Sequence, residues 1–358
     1  MFCTQPFNHI DIIVENEQVS LQPCNVWATK KFSINEYKNE LKNLKNTLAT
    51  TYHDLGCQIC YSEDKKNIRS RRCAQNQFSK DNNLSITKLQ SLGVRYGTLC
   101  NSKCMICSHH RSSSWVADAE KLEIKVEEQY RYKKNLLPAV DIFFDNFDLD
   151  DLRYVEFHGG EPLMQEYPED FLKKIKNLGQ LVVKFNTNLT VLPSDDLSVL
   201  LKKCKRVDFL LSVDDINDRY EMLRYPGKWD TFTKNMKAIK QKGHRTMAYN
   251  CLSSLNIFYA VEFYKWAIKN FGNEVHSQFV VDRKYLDISY LPQHAKNIVL
   301  KKIENYKGKI FDSIREKLNI QKDDRSKELV KYILDLDRIR KTNYPEIFKE
   351  WYTILNQK

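Results

Sequence analysis

The 358-residue sequence has no run of 18 or more apolar residues, so nothing in it reads as a membrane-spanning helix. It has no internal repeat and no low-complexity tract, which excludes a solenoid array or a biased linker. The opening Met1-Phe2-Cys3-Thr4-Gln5-Pro6 lacks a basic n-region and an apolar h-region, so no secretory signal is read and a cytoplasmic protein is expected. A long basic block is also missing, as is a basic stripe interleaved with aromatics. The formal charge of +11 is spread along the chain, and neither nucleic acid nor a membrane is the expected partner. What is abundant is cysteine. Ten cysteines without an export signal point away from disulfides and towards metal or redox chemistry in a reducing compartment. A hydrophobic content of 42% suffices for one large domain plus a smaller one and excludes global disorder.

From about Leu92 the pattern alternates short apolar runs with amphipathic stretches. Strands are expected at Leu92–Tyr96, Tyr154–His158, Leu181–Asn186, Val207–Val213, Met247–Cys251 and Val275–Val281. Helices are expected at Asp170–Asn177, Ser194–Lys203, Trp229–Lys242 and Phe258–Asn270. Such alternation predicts an α/β fold with a parallel sheet or barrel and right-handed crossovers. Residues 1–85 read as a small cysteine-rich domain with short strands and one helix near Ser33–Thr51. Residues 90–290 form the barrel. Residues 291–358 are a charged helical extension, with Ile303, Tyr306, Ile310 and Phe311 at helical spacing, which closes the open side of the barrel and is not a site.

The chemistry is concentrated in Cys100-Asn-Ser-Lys-Cys104-Met-Ile-Cys107, just after the first barrel strand. Two readings share that spacing. One is a zinc site completed by His109 or His110. The other is a [4Fe–4S] cluster with three protein thiolates and one open iron. Further polar motifs fall at strand ends: His158-Gly159-Gly160-Glu161-Pro162 after the second strand, Asn186-Thr187-Asn188 after the third, and Ser212-Val213-Asp214 after the fourth. In parallel α/β folds that edge is where sites collect. Taken singly, each motif has a plainer reading: a Gly-Gly pair makes a turn, and Ser-x-Asp caps a helix.

Together these residues resemble the radical S-adenosylmethionine (SAM) superfamily over roughly residues 92–290. The family usually has a bulky, often aromatic residue before the third cysteine; here it is Ile106. The resemblance implies a partial (β/α)6 barrel in which Cys100, Cys104 and Cys107 hold a [4Fe–4S] cluster. SAM then chelates the open iron. Gly159 and Gly160 allow close backbone approach to its methionine end, and Glu161 accepts from its ammonium. Asn188 and Ser212 match positions that bind ribose or carboxylate. Arg224, twelve residues after Ser212, matches an arginine of the related sulfatase-maturing enzymes and is expected to pair with the SAM carboxylate; read alone, it fits a surface ion pair equally well.

The N-terminal segment is similar to a SPASM or twitch domain, displaced to precede the barrel. Cys3-x2-Pro6, Pro23-Cys24, Cys57-Gln-Ile-Cys60, Glu63 and Ser70-x-Arg72 carry that likeness. It implies an auxiliary [4Fe–4S] cluster on Cys3, Cys24, Cys57 and Cys60, with Cys73 as an alternative ligand and zinc as an alternative metal. Cys204 and Cys251 read as small buried hydrophobes, His109 and His110 as exposed loop residues, and His158 as packing under the Gly-Gly turn. No catalytic acid or base stands out; Asp214 is a candidate by its place alone.

The implied reaction is reductive cleavage of SAM to a 5′-deoxyadenosyl radical, which removes a hydrogen atom from substrate, with a flavodoxin or ferredoxin as reductant. The auxiliary cluster points to oxidation of a peptide or protein side chain. Two alternatives remain open: radical oxidation or rearrangement of a small metabolite such as an alcohol, amino sugar or nucleoside, and a non-catalytic iron–sulfur protein on RNA. The Gly159-Gly160-Glu161 run argues against the last, because a structural cluster has no use for a SAM cradle.

Overall fold

A computed structural model describes residues 2–15, 18–24, 27, 31–53, 56–65, 70–131, 134 and 137–355. Among them, eight strands form one sheet: β1 (His9–Glu15), β2 (Gln18–Gln22), β3 (Ser91–Tyr96), β4 (Tyr154–His158), β5 (Val182–Thr187), β6 (Arg206–Ser212), β7 (Arg245–Leu252) and β8 (Val275–Phe279). Their order is β2-β1-β3-β4-β5-β6-β7-β8. β1 and β2 form an antiparallel hairpin, whereas β1–β3, β3–β4, β4–β5 and β7–β8 pair in parallel. The expected α/β class with a mostly parallel sheet is borne out. The six strands read from the sequence are β3 to β8. The sheet has two more than expected, because the N-terminal hairpin joins it instead of standing apart. The reason is the run His9-Ile-Asp-Ile-Ile-Val-Glu15, whose first six residues are all buried; a strand covered on both faces needs a sheet neighbour.

The chain divides into two compact units, each discontinuous in sequence. The first comprises Met1–Leu99, Tyr132–Asn186 and Pro193–Asp208; the second comprises Cys100–Arg131, Thr187–Leu192 and Phe209–Lys358.

In the first unit the side-chain period of two separates two sheet faces. Ile12, Val94, Phe157 and Phe185 lie in register across β1, β3, β4 and β5 and are fully buried. The opposite face carries Asp11, Gly93, Glu156 and Lys184 in one row. β4 and β5 thus alternate, with one face polar. The helix Ile34–Thr50 begins with a capping box: Ser33 Oγ accepts from the Glu36 amide, and Glu36 Oε2 accepts from the Ser33 amide, satisfying two otherwise unpaired donors.

In the second unit, the helix Trp229–Gln241 buries Phe232, Met236 and Ile239 at helical spacing. Helices at Gln293–Ile303, Lys309–Leu318, Ser326–Arg340, Tyr344–Ile347 and Lys349–Leu355 follow β8. Tyr344 and Trp351 anchor the last two, donating to the Leu255 carbonyl (2.7 Å) and the Ser254 carbonyl (2.6 Å). No described helix is long and apolar enough to cross a membrane.

Candidate metal centres and cofactor site

Cys100, Cys104 and Cys107 lie in the second unit on an irregular loop after β3. A loop without a strand partner must satisfy its carbonyls some other way, and here side chains do so. Ser114 Oγ donates to Cys100 O (2.6 Å), Ser112 Oγ to Ser102 O (2.7 Å) and Trp115 Nε1 to Cys104 O (2.9 Å). The Lys103 and Met105 amides donate to Tyr225 O and Leu223 O. Cys104 is buried; Cys100 and Cys107 are partly exposed. Burial pushes the Cys104 thiol up, against the Arg224 guanidinium, and pushes the Cys107 thiol up to about 11. Metal binds cysteine as thiolate, so burial of these two thiols works against the form that a metal needs.

The same loop is gripped from the C-terminal region, which sequence reading set aside. Tyr332 OH donates to Met105 O (2.5 Å), and Arg283 donates to Cys107 O (3.0 Å). Asp118 accepts from Lys103 Nζ and from Arg340 Nε, both at 2.8 Å, with the Asp118 and Arg340 side chains each only 2% exposed. The helix Ser326–Arg340 thus contributes two side chains to holding this segment, Tyr332 directly and Arg340 through Asp118, while Arg283 comes from the turn after β8.

Asn188, just past β5, holds the start of the loop. Its Nδ2 donates to Ser102 Oγ (2.9 Å) and Asn101 Oδ1 (3.0 Å) and lies 3.9 Å from Cys100 Sγ. Its Oδ1 accepts from the Thr190 amide and hydroxyl. Ser212 is the half-buried last residue of β6. Asp214 does not cap a helix: the next helix, Asn217–Leu223, has Ile216 at its N-cap and no side-chain cap. Instead, buried Asp214 pairs with Arg224 (2.8 Å) and accepts from the Cys251 amide (2.8 Å). Arg224 is likewise no surface residue; it is buried, with its NH1 3.8 Å from Cys104 Sγ. Burial opposes its charge, but Asp214 and the neighbouring thiols outweigh burial and raise its pKa.

The Gly-Gly-Glu run belongs to the first unit. Gly159 and Gly160 both have positive φ, 84° and 39°, a region that favours glycine. A Cβ on Gly160 would sit 2.2 Å from the Leu99 carbonyl oxygen, which also accepts from the Glu161 amide (2.7 Å). The glycine is thus required by the backbone that leads into Cys100. Glu161 is buried, and its Oε1 accepts from the Leu163 amide (3.1 Å). On the polar sheet face, Glu156 lies 3.3 Å from Lys184 and accepts from Asn186 Nδ2 (2.7 Å). Burial pushes the Glu156 carboxyl up, but Lys184 and His158 outweigh it and hold it at about 2.

Cys3, Cys24, Cys57 and Cys60, also in the first unit, line one cavity together with Trp27, Tyr52 and Arg72. Burial raises the thiols of Cys3, Cys57 and Cys60, Cys3 to about 11. Arg72 bonds the Phe2 carbonyl (3.2 Å), as does Asn76 (2.7 Å), which fixes the chain at Cys3. Cys73 does not line that cavity; its sulfur donates to Asp64 (3.3 Å). Half-buried Asp64 is held at about 2 by Tyr52, Ser70, Arg72 and Cys73, which outweigh desolvation. Four thiols around one cavity suit a soft-metal or iron–sulfur group.

His109 is buried, contrary to the sequence expectation, while His110 is exposed. Neither joins the cysteines. Among the described residues, one group of three potential ligands gathers within 4.8 Å, and it is His109, His110 and Glu127.

The mostly parallel α/β sheet thus carries three thiols on the loop after β3 and a Gly-Gly-Glu turn after β4. Residues 94–267 match the family model of the Radical SAM superfamily. The matched segment contains Cys100, Cys104, Cys107, Gly159, Gly160, Glu161, Asn188, Ser212, Asp214 and Arg224; the N-terminal cysteines lie outside it. Among solved structures, the chain is similar to anSMEcpe with bound AdoMet, at 14% identity over 61% of this chain and 60% of that one, TM-score 0.42. It is also similar to Streptococcus suis SuiB bound to S-adenosylmethionine, at 15% identity over 83% and 67%, TM-score 0.37. The chain thus spans about three fifths of the first of these. No curated protein matches the sequence.

Proposed function

We propose that the protein is a radical SAM enzyme that oxidatively modifies a peptide or protein side chain in a reducing cytoplasm. The observation that carries this reading is the three-thiol loop inside the segment that matches the Radical SAM superfamily. Cys100, Cys104 and Cys107 would hold a [4Fe–4S] cluster. When bound, the cluster and SAM supply one-electron cleavage of SAM and hydrogen abstraction from substrate.

The chain's own residues position and insulate. Arg224 lowers the cost of negative charge on Cys104 sulfur, and Asp214 holds that guanidinium in place. Asn188 keeps the loop from opening at Cys100. Gly159, Gly160, Glu161, Asn188, Ser212 and Arg224 would be the groups that bind SAM. Cys3, Cys24, Cys57 and Cys60 would bind an auxiliary cluster of the twitch or SPASM kind within residues 1–85, ahead of a barrel at 90–290 and an extension at 291–358. When bound, that cluster would supply a second one-electron redox group, with a flavodoxin or ferredoxin as the reductant of the enzyme. The polar row Asp11, Glu156 and Lys184 favours a second reading, in which the substrate is a small charged metabolite.

The test is anaerobic reconstitution with iron and sulfide, then addition of SAM and dithionite, with 5′-deoxyadenosine as the readout. Product is expected from the native chain and none from Cys104→Ala. No product from either, with iron bound, would sink the reading. A peptide library against a metabolite panel then separates the two substrate classes.

A further inference from the structure

The second unit contains a ligand set that the cluster chemistry leaves unused. The chain turns after Cys107, with the Arg111 and Ser112 amides both donating to Ser108 O. The turn brings the rings of His109 and His110 together, centroids 4.0 Å apart. Tyr130 packs against both, at 5.7 Å and 4.3 Å. Tyr130 ends the short turn Glu128–Tyr130, whose N-cap is Glu127. The aromatic packing thereby holds the Glu127 carboxylate against the histidines.

His109 Nε2 lies 3.6 Å from Glu127 Oε2, and His110 Nε2 lies 4.0 Å from the same oxygen. His109 is only 4% exposed, and its Nε2 has no hydrogen-bond partner. The buried imidazole nitrogen faces the carboxylate oxygen at ion-pair distance, beyond an ordinary hydrogen bond, which leaves room for an ion that both could ligate. Zinc binds imidazole nitrogen at about 2.0–2.1 Å and carboxylate oxygen at about 2.0–2.2 Å, so neighbouring ligands of a tetrahedron stand about 3.4 Å apart. The His109–Glu127 separation of 3.6 Å is close to that edge, the His110–Glu127 separation of 4.0 Å is about 0.6 Å longer, and all three ligand atoms lie within 4.8 Å of one another. Glu127 and His110 are exposed, which leaves a fourth position open to water.

We propose that His109, His110 and Glu127 bind a zinc ion with a solvent-accessible fourth site, distinct from both sets of cysteines. The donor types support the separation: nitrogen and oxygen here, thiolates where iron–sulfur groups are proposed. The site would present a metal-bound water two residues beyond Cys107. It does not depend on the radical SAM reading, since the three residues are complete without it.

The experiment uses the full chain, reconstituted with iron, then equilibrated with zinc and passed over a chelating resin. About one zinc per chain is expected to remain. His110→Gln and Glu127→Gln alter exposed side chains, so they leave iron content and circular dichroism unchanged while weakening zinc binding by about tenfold or more. Zinc K-edge absorption on the native chain should show a nitrogen and oxygen shell near ~2.0–2.1 Å and no sulfur shell near ~2.3 Å. The proposal is overturned if no zinc is retained, if sulfur enters the shell, if both variants bind zinc as the native chain does, or if zinc disappears only together with iron or folded structure.

Discussion

Asp214 and Arg224 are a buried ion pair one contact from Cys104, and such pairs matter most when broken, because the remaining charge stays in low dielectric. Next to it, Asp215 is fully buried and paired with Arg219 (3.0 Å). Burial outweighs that pairing and pushes its carboxyl from 3.8 up to about 7. The folded state then binds more protons than the unfolded state between those values, so this group makes stability fall as pH rises through that window. Below about 4 the penalty is absent, and above about 7 it is constant. Urea unfolding at pH 5 and pH 8 should show a loss at the higher pH that is smaller in Asp215→Asn, which keeps the acceptors for Arg219 and the Ile216 amide. An unchanged difference between the two pH values would contradict this assignment. Residue types at the candidate site were legible from the sequence: the cysteine spacing and the Gly-Gly-Glu run declare themselves locally. The partners of Asp214 and Arg224 were not, because a buried aspartate and a helix-capping one look alike until the fold is known.

At the scale of elements, the helix Ser326–Arg340 grips the cysteine loop through Tyr332 and Arg340. Removing Arg340 leaves buried Asp118 with one of its two cationic partners, Lys103, which costs more than the roughly 1 kcal/mol of the Tyr332 hydroxyl. Arg340→Met should therefore release iron to a chelator faster than Tyr332→Phe, and both faster than the native chain, as followed by absorbance bleaching. Equal rates in all three would show that the helix does not hold the loop. The helix near Ser33–Thr51, and β3 to β8 as short strands, could be read in the sequence. The pairing of β1 with β3 could not, since an apolar run says that a strand is buried but not beside which neighbour. The contacts from Tyr332 and Arg340 to the loop span more than 200 residues, beyond any local periodicity.

At the scale of the whole molecule, the two cysteine sets fall in different compact units, four in the first and three in the second. If each holds its own cluster, the native chain carries about eight iron atoms, and Cys60→Ala and Cys104→Ala each retain about four. Cys60→Ala should keep the SAM-dependent change in the electron paramagnetic resonance of the reduced cluster, and Cys104→Ala should lose it. Loss of all iron in Cys60→Ala would mean that the two sets do not load separately.

The order in which the chain is made adds a demand of its own. Met105 and its partner Tyr332 are 227 residues apart. At synthesis rates of about 5–20 residues per second, the second follows the first by roughly 10–50 s. For that interval the thiols at 100–107 have emerged, but the side chains that clamp their loop do not yet exist. If these sulfurs take up the proposed cluster, its insertion competes with their oxidation from the nascent chain onwards, before the clamping side chains exist.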